Sequence, residues 1–127
     1  MKANRFPKDI VTAIRDAKIL GIRAGTKPHR IIGIWAVVVE NSVFVRSWGL
    51  KDRGWYRAFE EEPAGIIEVD GRQLPVRAVF TRSERLKKAV DGAYAEKFNT
   101  PGSKHFVQGF ARSKKRRDST TELVPAK

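Results

Sequence analysis

Residues 31–49 read IIGIWAVVVENSVFVRSWG. The apolar run from Ile31 to Val39 meets a turn at Glu40-Asn41-Ser42 and returns as Val43 to Val45. Runs rich in β-branched residues, bounded by residues that suit tight turns, predict a continuous strand paired with a shorter one. The returning strand delivers Arg46-Ser47-Trp48-Gly49, and a few residues later come Gly54-Trp55-Tyr56-Arg57. Backbone N–H groups of a glycine-containing turn and the planar fork of arginine both complement phosphate, so the loop at Arg46 is a candidate cofactor site as well as a connector.

Outward from this hairpin, a second one is written around Asp70-Gly71, a pair suited to the type I′ turn because both central residues need positive φ. In the strand that follows, Arg72 to Phe80, Leu74, Val76, Ala78 and Phe80 alternate with Gln73, Pro75, Arg77 and Val79. Pro75 has no N–H for a ladder, which predicts an edge strand or a bulge. Ile19 to Arg23 is a first strand, closed by Ala24-Gly25 and the loop Thr26-Lys27-Pro28-His29, and Thr120 to Val124 is a last one.

Ile10, Ala13, Ile14 and Ala17 lie at helical spacing within Pro7 to Ala17. Thr81 with Glu84 forms a capping box for a main helix whose apolar face is Leu86, Val90, Ala93 and Phe98, stopped at Asn99-Thr100-Pro101-Gly102. His105 to Phe110 has a mixed pattern. The expectation is a mainly β domain of six strands with two flanking helices, spanning residues 1–127, with a basic, mobile segment at residues 111–118.

Composition bounds the chemistry. The 127 residues suit one core, and the absence of cysteine excludes disulfides, thiolate metal sites and a cysteine nucleophile. The longest apolar run falls short of the ~20 residues of a membrane helix and the N-terminus has no signal-peptide pattern, so a cytoplasmic protein without membrane contact is expected. The net charge is +12, unevenly spread. Residues 1–30 carry eight basic and two acidic groups, residues 31–80 six and seven, and residues 81–127 twelve and five. Basic flanks around a neutral centre fit a phosphate-bearing cofactor, nucleic acid or a merely solvated surface.

Gly25, Lys27 and Arg30, the hairpin, Ser47 with Gly49, Trp55-Tyr56-Arg57, Pro63, a second hairpin ending Val76-Arg77-Ala78, and Leu123-Val124-Pro125 together resemble the deazaflavin-dependent nitroreductases. These belong to the FMN-binding split-barrel superfamily, which includes pyridoxamine phosphate oxidase. The resemblance implies a six-stranded split β-barrel whose cofactor, FMN or a deazaflavin coenzyme, rests its phosphates on Ser47, Trp48 and Gly49 and on Lys27 and Arg30. Arg46 and Arg57 join this set from their chemistry, and Trp55 and Tyr56 line the groove. It also implies a homodimer. The chain departs from the family pattern at Gly25-Thr26-Lys27-Pro28-His29, where relatives carry a fuller Gly-Arg-Lys-Ser-Gly loop, and it offers His105, Phe106 and Phe110 where relatives place a tyrosine-bearing cover.

Plainer readings stand beside each site. Trp55 and Tyr56 suit a plug at the barrel mouth, Trp35 a core position, and Arg46 an ion pair with Glu60, Glu61 or Glu62. His29 and His105 have no metal-ligand cluster around them, so no metal is expected. Lys114 to Arg117 reads as a solvated run. Three functions follow: a flavin or deazaflavin oxidoreductase passing a hydride to a small acceptor, a barrel that binds a ligand without turnover, and a basic β-barrel binding nucleic acid.

Overall fold

The computed structural model describes residues 5–26, 30–49 and 54–126. Helix α1 (Lys8–Asp16) is followed by strands β1 (Leu20–Ala24), β2 (Ile32–Ile34), β3 (Ala36–Val39) and β4 (Ser42–Val45). Then come α2 (Trp55–Glu61), β5 (Ala64–Val69), β6 (Arg72–Phe80), α3 (Glu84–Lys97), α4 (Pro101–Arg112), α5 (Lys114–Asp118) and β7 (Thr121–Pro125). The strands form one antiparallel sheet in the order β2-β1-β5-β6-β7-β4-β3.

The two end strands of that sheet, β2 and β3, are neighbours in the chain, separated by Trp35 alone. The sheet therefore curls back on itself into a nearly closed, barrel-like form. The expected continuous strand from Ile31 to Val39 is broken at Trp35, and seven strands form among the described residues, not six. Trp35 leaves the ladder because its carbonyl accepts a hydrogen bond from Tyr94 Oη at 2.7 Å and its ring stacks on Phe98 at 4.2 Å. Both partners belong to α3 or its end, so the bend is held from outside the sheet.

Both hairpins fold as their turn residues dictate. Glu40 and Asn41 have φ of 53° and 66°, and Asp70 and Gly71 have 54° and 73°, the paired positive values of a type I′ turn. Pro75 overturns its expectation, because β6 lies between β5 and β7. Its carbonyl faces β7 and accepts from Ala126 N at 3.0 Å. In an antiparallel strand a residue's N and O point to the same side, so the missing donor also faces β7, past the last paired position, Val76 with Pro125. No ladder bond is lost there.

Five helices form among the described residues rather than two. The cap of α3 is Ser83, whose hydroxyl accepts from Leu86 N, while Thr81 Oγ1 accepts from Ser83 N. The expected box thus sits two residues too early. Trp55, Tyr56 and Arg57 open α2, and the mixed stretch around His105 is the middle of α4, with Pro101 at its first turn. The basic run forms α5, capped by Ser113.

Two apolar clusters result. One fills the barrel interior with Ile10 and Ile14 of α1, Ile22, Val43, Val45, Ile67, Val76 and Leu123 of the strands, and Phe59 of α2. The other lies outside, where Val37 and Phe44 meet Val90, Tyr94, Phe98, Val107 and Phe110 of the α3–α4 layer. Alternation along β3 and β4 feeds both clusters.

Where α1 and α3 meet this layer, Lys97 Nζ donates to the carbonyls of Ile14 at 3.0 Å and Ala36 at 2.7 Å. Burial pushes the Lys97 ammonium down to about 8, with Asp16 opposing. The unfolded chain therefore holds more protons than the folded one between pH 8 and the ordinary lysine range, so stability rises with pH there. Above about pH 10 the trend reverses, because unfolded tyrosines ionise while burial keeps Tyr94 and Tyr56 protonated. We expect urea midpoints of the protein to climb from pH 8 to 10, and those of Lys97→Met to stay level. Parallel curves for the two proteins are the contrary result.

Candidate functional site

The loop after β4 leaves the barrel beside the bend at Trp35, and α4 lies across it. Between them is a cavity of about 510 Å³. Ile32, Gly33, Ile34 and Trp35 form one wall, Arg46 to Gly49 a second, Gly54 and Trp55 a third, and Phe106 and Phe110 of α4 a fourth. Five expected site residues, Arg46, Ser47, Trp48, Gly49 and Trp55, are thus brought together.

The others stand apart. Tyr56 turns away to pack edge-on against Phe80 at 5.4 Å, and Arg57 is exposed and pairs with Glu60 one helical turn on. Arg30 lines a smaller, adjoining recess. Lys27 and His29 lie outside the described residues. Trp55 is half-buried, closing the α2 end of the cavity and packing on Phe59.

Arg46 is the anchor of the loop. Its side chain is 0% exposed and forms an ion pair with Asp91 of α3. Nε donates to Thr120 Oγ1 at 2.8 Å, NH1 to the Phe110 carbonyl at 3.2 Å and NH2 to the Lys87 carbonyl at 2.8 Å. The acidic partner is not Glu60, Glu61 or Glu62 but a residue from the far helix. The guanidinium fork, suited in principle to phosphate, is spent on α3, α4 and the start of β7. Backbone groups of the loop are engaged as well. Arg46 N donates to Tyr94 Oη at 3.1 Å, and Ser47 N to Ser119 Oγ at 2.9 Å.

Trp48 is held by Arg116 and by α4. The Arg116 guanidinium lies 3.6 Å from its ring centroid, and Arg116 Nε donates to the Trp48 carbonyl at 2.8 Å. On the α4 side a Cβ added at Gly109 would come within 2.4 Å of the indole, so the helix lacks a side chain where the ring sits. Phe106 and Phe110 contact it edge-on at 5.0 and 5.4 Å. The basic run is largely committed in the same way. Lys114 pairs with Asp118, holding that carboxyl down to about 2 together with Lys87, and Arg117 bridges Glu84 and Asp91.

The smaller recess, about 220 Å³, is lined by Ile22, Arg23, Ala24, Arg30, Ile32, Gly54, Trp55 and Ala58. It shares Ile32, Gly54 and Trp55 with the larger cavity. Arg23 Nε is shut off from solvent and has no hydrogen-bond partner among the described residues. Leaving such a donor unpaired costs about 1–3 kcal/mol, more when the group is charged.

Arg23, Asp91, Gly109 and Arg116 are the site residues that sequence reading missed. Only the Phe106 and Phe110 pair, four residues apart, carried a helical signal. Among the described residues no group of three acidic or histidine side chains is placed to hold a metal, and no helix is long and apolar enough to cross a membrane.

Fold and cavity define the class: a barrel-like antiparallel sheet, flanked by helices, with a preformed aromatic-walled cavity at the sheet's bend. Within that class, the chain belongs to the family described as an uncharacterized protein conserved in bacteria (DUF2255), which matches residues 9–123. Among solved structures it is similar to the conserved hypothetical protein Rv2991 from Mycobacterium tuberculosis, with 12% sequence identity and a TM-score of 0.59 over 100% of this chain and 86% of that one. That likeness is one of fold. No curated protein matches.

Proposed function

We propose that the larger cavity binds a flat, flavin-type cofactor, FMN or a deazaflavin coenzyme, and that the protein is an oxidoreductase using it. One observation carries this reading: the Ser47–Gly49 loop, to which the split-barrel resemblance points, forms with Arg46 a wall of a cavity of about 510 Å³ lined with indole and phenyl rings. That size lies within the ~300–1,000 Å³ of small-ligand sites, and such walls suit a planar tricycle. The bound cofactor would supply hydride transfer. The protein's own contribution would be to seat the ring system against the aromatic wall made by Trp35, Trp48 and Phe106 and to keep water from it.

A second reading, ligand binding without turnover, is favoured by the chemistry of the lining. Arg46 is the one titratable group among the described lining residues of the larger cavity, and its bonds are made within the protein. An acceptor that needs a proton along with a hydride would have to draw it from solvent or from the cofactor.

Titration with FMN and with a deazaflavin coenzyme, followed by quenching of cofactor and tryptophan fluorescence, tests both. We expect saturable binding of at least one in the micromolar range, about −8 kcal/mol. Trp48→Leu should weaken it tenfold or more. Turnover of a reduced cofactor with a small electrophile then separates enzyme from carrier. No quenching with either compound at millimolar concentration removes the flavin reading.

A further inference from the structure

Where the sheet stays open, its end strand β2 borders the larger cavity through Ile32, Gly33 and Ile34. The register decides which polar groups that strand leaves free. Along an antiparallel strand the N–H and C=O of one residue point to one neighbour, and those of the next residue to the other. One residue past β1, Gly25 N donates to the Ala64 carbonyl at 2.7 Å, so Gly21 and Arg23 face β5 while Leu20 and Ile22 face β2. The two-residue turn at Asp70-Gly71 fixes the same parity from the other side of β5, through the bonded pair Val69 and Arg72. Across β2 the partners of Leu20 and Ile22 are Ile34 and Ile32, which take up the ladder bonds. Gly33, opposite Gly21, therefore turns both its N–H and its C=O to the open edge. It is exposed, and without a side chain it lines the cavity through this backbone alone. A Cβ there would stand 2.6 Å from Ile19 Cγ2, which covers the outer face of the strand. Nearby polar groups are engaged, the Trp35 carbonyl with Tyr94 and the Trp48 carbonyl with Arg116.

We infer that Gly33 is the specificity residue of the cavity, its N–H and C=O binding the edge of a flat heterocycle that carries an acceptor beside a donor, as a lactam or cyclic imide does. In an extended residue these two groups lie side by side on one edge, as the C=O and N–H of a lactam do. One such group therefore closes both bonds. The aromatic wall is left for the ring itself. A flat hydrocarbon would leave the Gly33 pair dry and unbonded, and a carboxylate would set an oxygen against its carbonyl, so both are rejected. The inference rests on the flavin reading, in which the partner is the imide edge that FMN and a deazaflavin coenzyme share. It adds an orientation: the imide end of the ring system lies at β2.

Lumiflavin and 3-methyllumiflavin, which differ by one methyl on the imide nitrogen, test this by tryptophan quenching. Lumiflavin should bind the wild type at least tenfold more tightly than its methylated form. Proline at position 33 deletes the donor and spares the ladder, because that N–H faces away from β1. Ile19→Ala makes room for the proline ring. The gap between the two compounds should persist in Ile19→Ala and shrink below threefold in Ile19→Ala with Gly33→Pro. In the wild type the Gly33 amide proton should move downfield in the NMR spectrum on adding lumiflavin, a readout that stands even if the proline variant does not fold. Equal binding of both compounds, a gap that survives the proline, or an unmoved Gly33 amide overturns the inference and leaves the flavin reading in place. If neither compound binds, both fall.

Discussion

Arg46→Ala should remove about 3–5 kcal/mol of stability, a large share of what a domain of this size possesses. The cause is the number of groups the guanidinium satisfies at once. It holds Asp91 on α3, Thr120 ahead of β7, and the carbonyls of Lys87 and Phe110, and its own side chain has no contact with water. Removing it takes a buried donor away from the carbonyls of Lys87 and Phe110 and unties β4 from the α3–α4 layer. Asp91 keeps Arg117, at 3.0 Å, so the carboxylate itself is not stranded. Urea denaturation with the two-state slope held fixed measures the loss. Arg46→Lys should recover less than half of it, because an ammonium cannot reproduce the planar fork. In the double variant Arg46→Met with Asp91→Leu, the loss should be smaller than the sum of the single ones, since neither charge is left alone. An Arg46→Ala protein with unchanged stability but a tenfold weaker cofactor affinity would restore the phosphate-clamp role that the loop's sequence suggested.

That contrast marks where sequence reading stops. Local signals were legible: positive-φ turn residues at Glu40-Asn41 and Asp70-Gly71, alternation in β6, the apolar stripe of α1, and the loop that lines the cavity. Each is decided within a few residues. The break at Trp35 was hidden because it depends on a hydroxyl 59 residues away, that of Tyr94, in a run whose composition is uniformly strand-like. Pro75 misled because its missing donor matters only if a neighbour is still paired at that level, which is a fact about where β7 ends. Arg46 was read correctly as a charge at a special position and wrongly in its partner, since three glutamates stand nearer in sequence than Asp91. Helix α4 was obscured by Gly102 and Gly109, both poor helix formers, and one of these glycines has a tertiary reason that no local rule contains.

Gly109→Ala is the sharpest test of that reason. In an exposed helix the exchange would stabilise by up to about 1 kcal/mol, because alanine loses less backbone freedom on folding. At Gly92 of α3 and Gly102 of α4 an added Cβ meets nothing within 4 Å, so alanine there should bring that gain. At Gly109 the same methyl would stand 2.4 and 2.5 Å from two atoms of the Trp48 ring. The ring cannot retreat without breaking its stack with Arg116 at 3.6 Å or its edge contacts with Phe106 and Phe110. Overpacking of this kind costs about 1–3 kcal/mol, which outweighs the propensity gain. Thermal unfolding should therefore place Gly109→Ala below the wild type and Gly92→Ala above it. Because Trp48 forms one wall of the cavity, the indole displaced by the methyl should also lose its near-ultraviolet dichroism. Any flat ligand that binds there should be held at least tenfold more weakly, a loss that Gly92→Ala does not share. If Gly109→Ala is as stable as Gly92→Ala and its indole signal is unchanged, Trp48 does not rest on α4 and the cavity has a different wall.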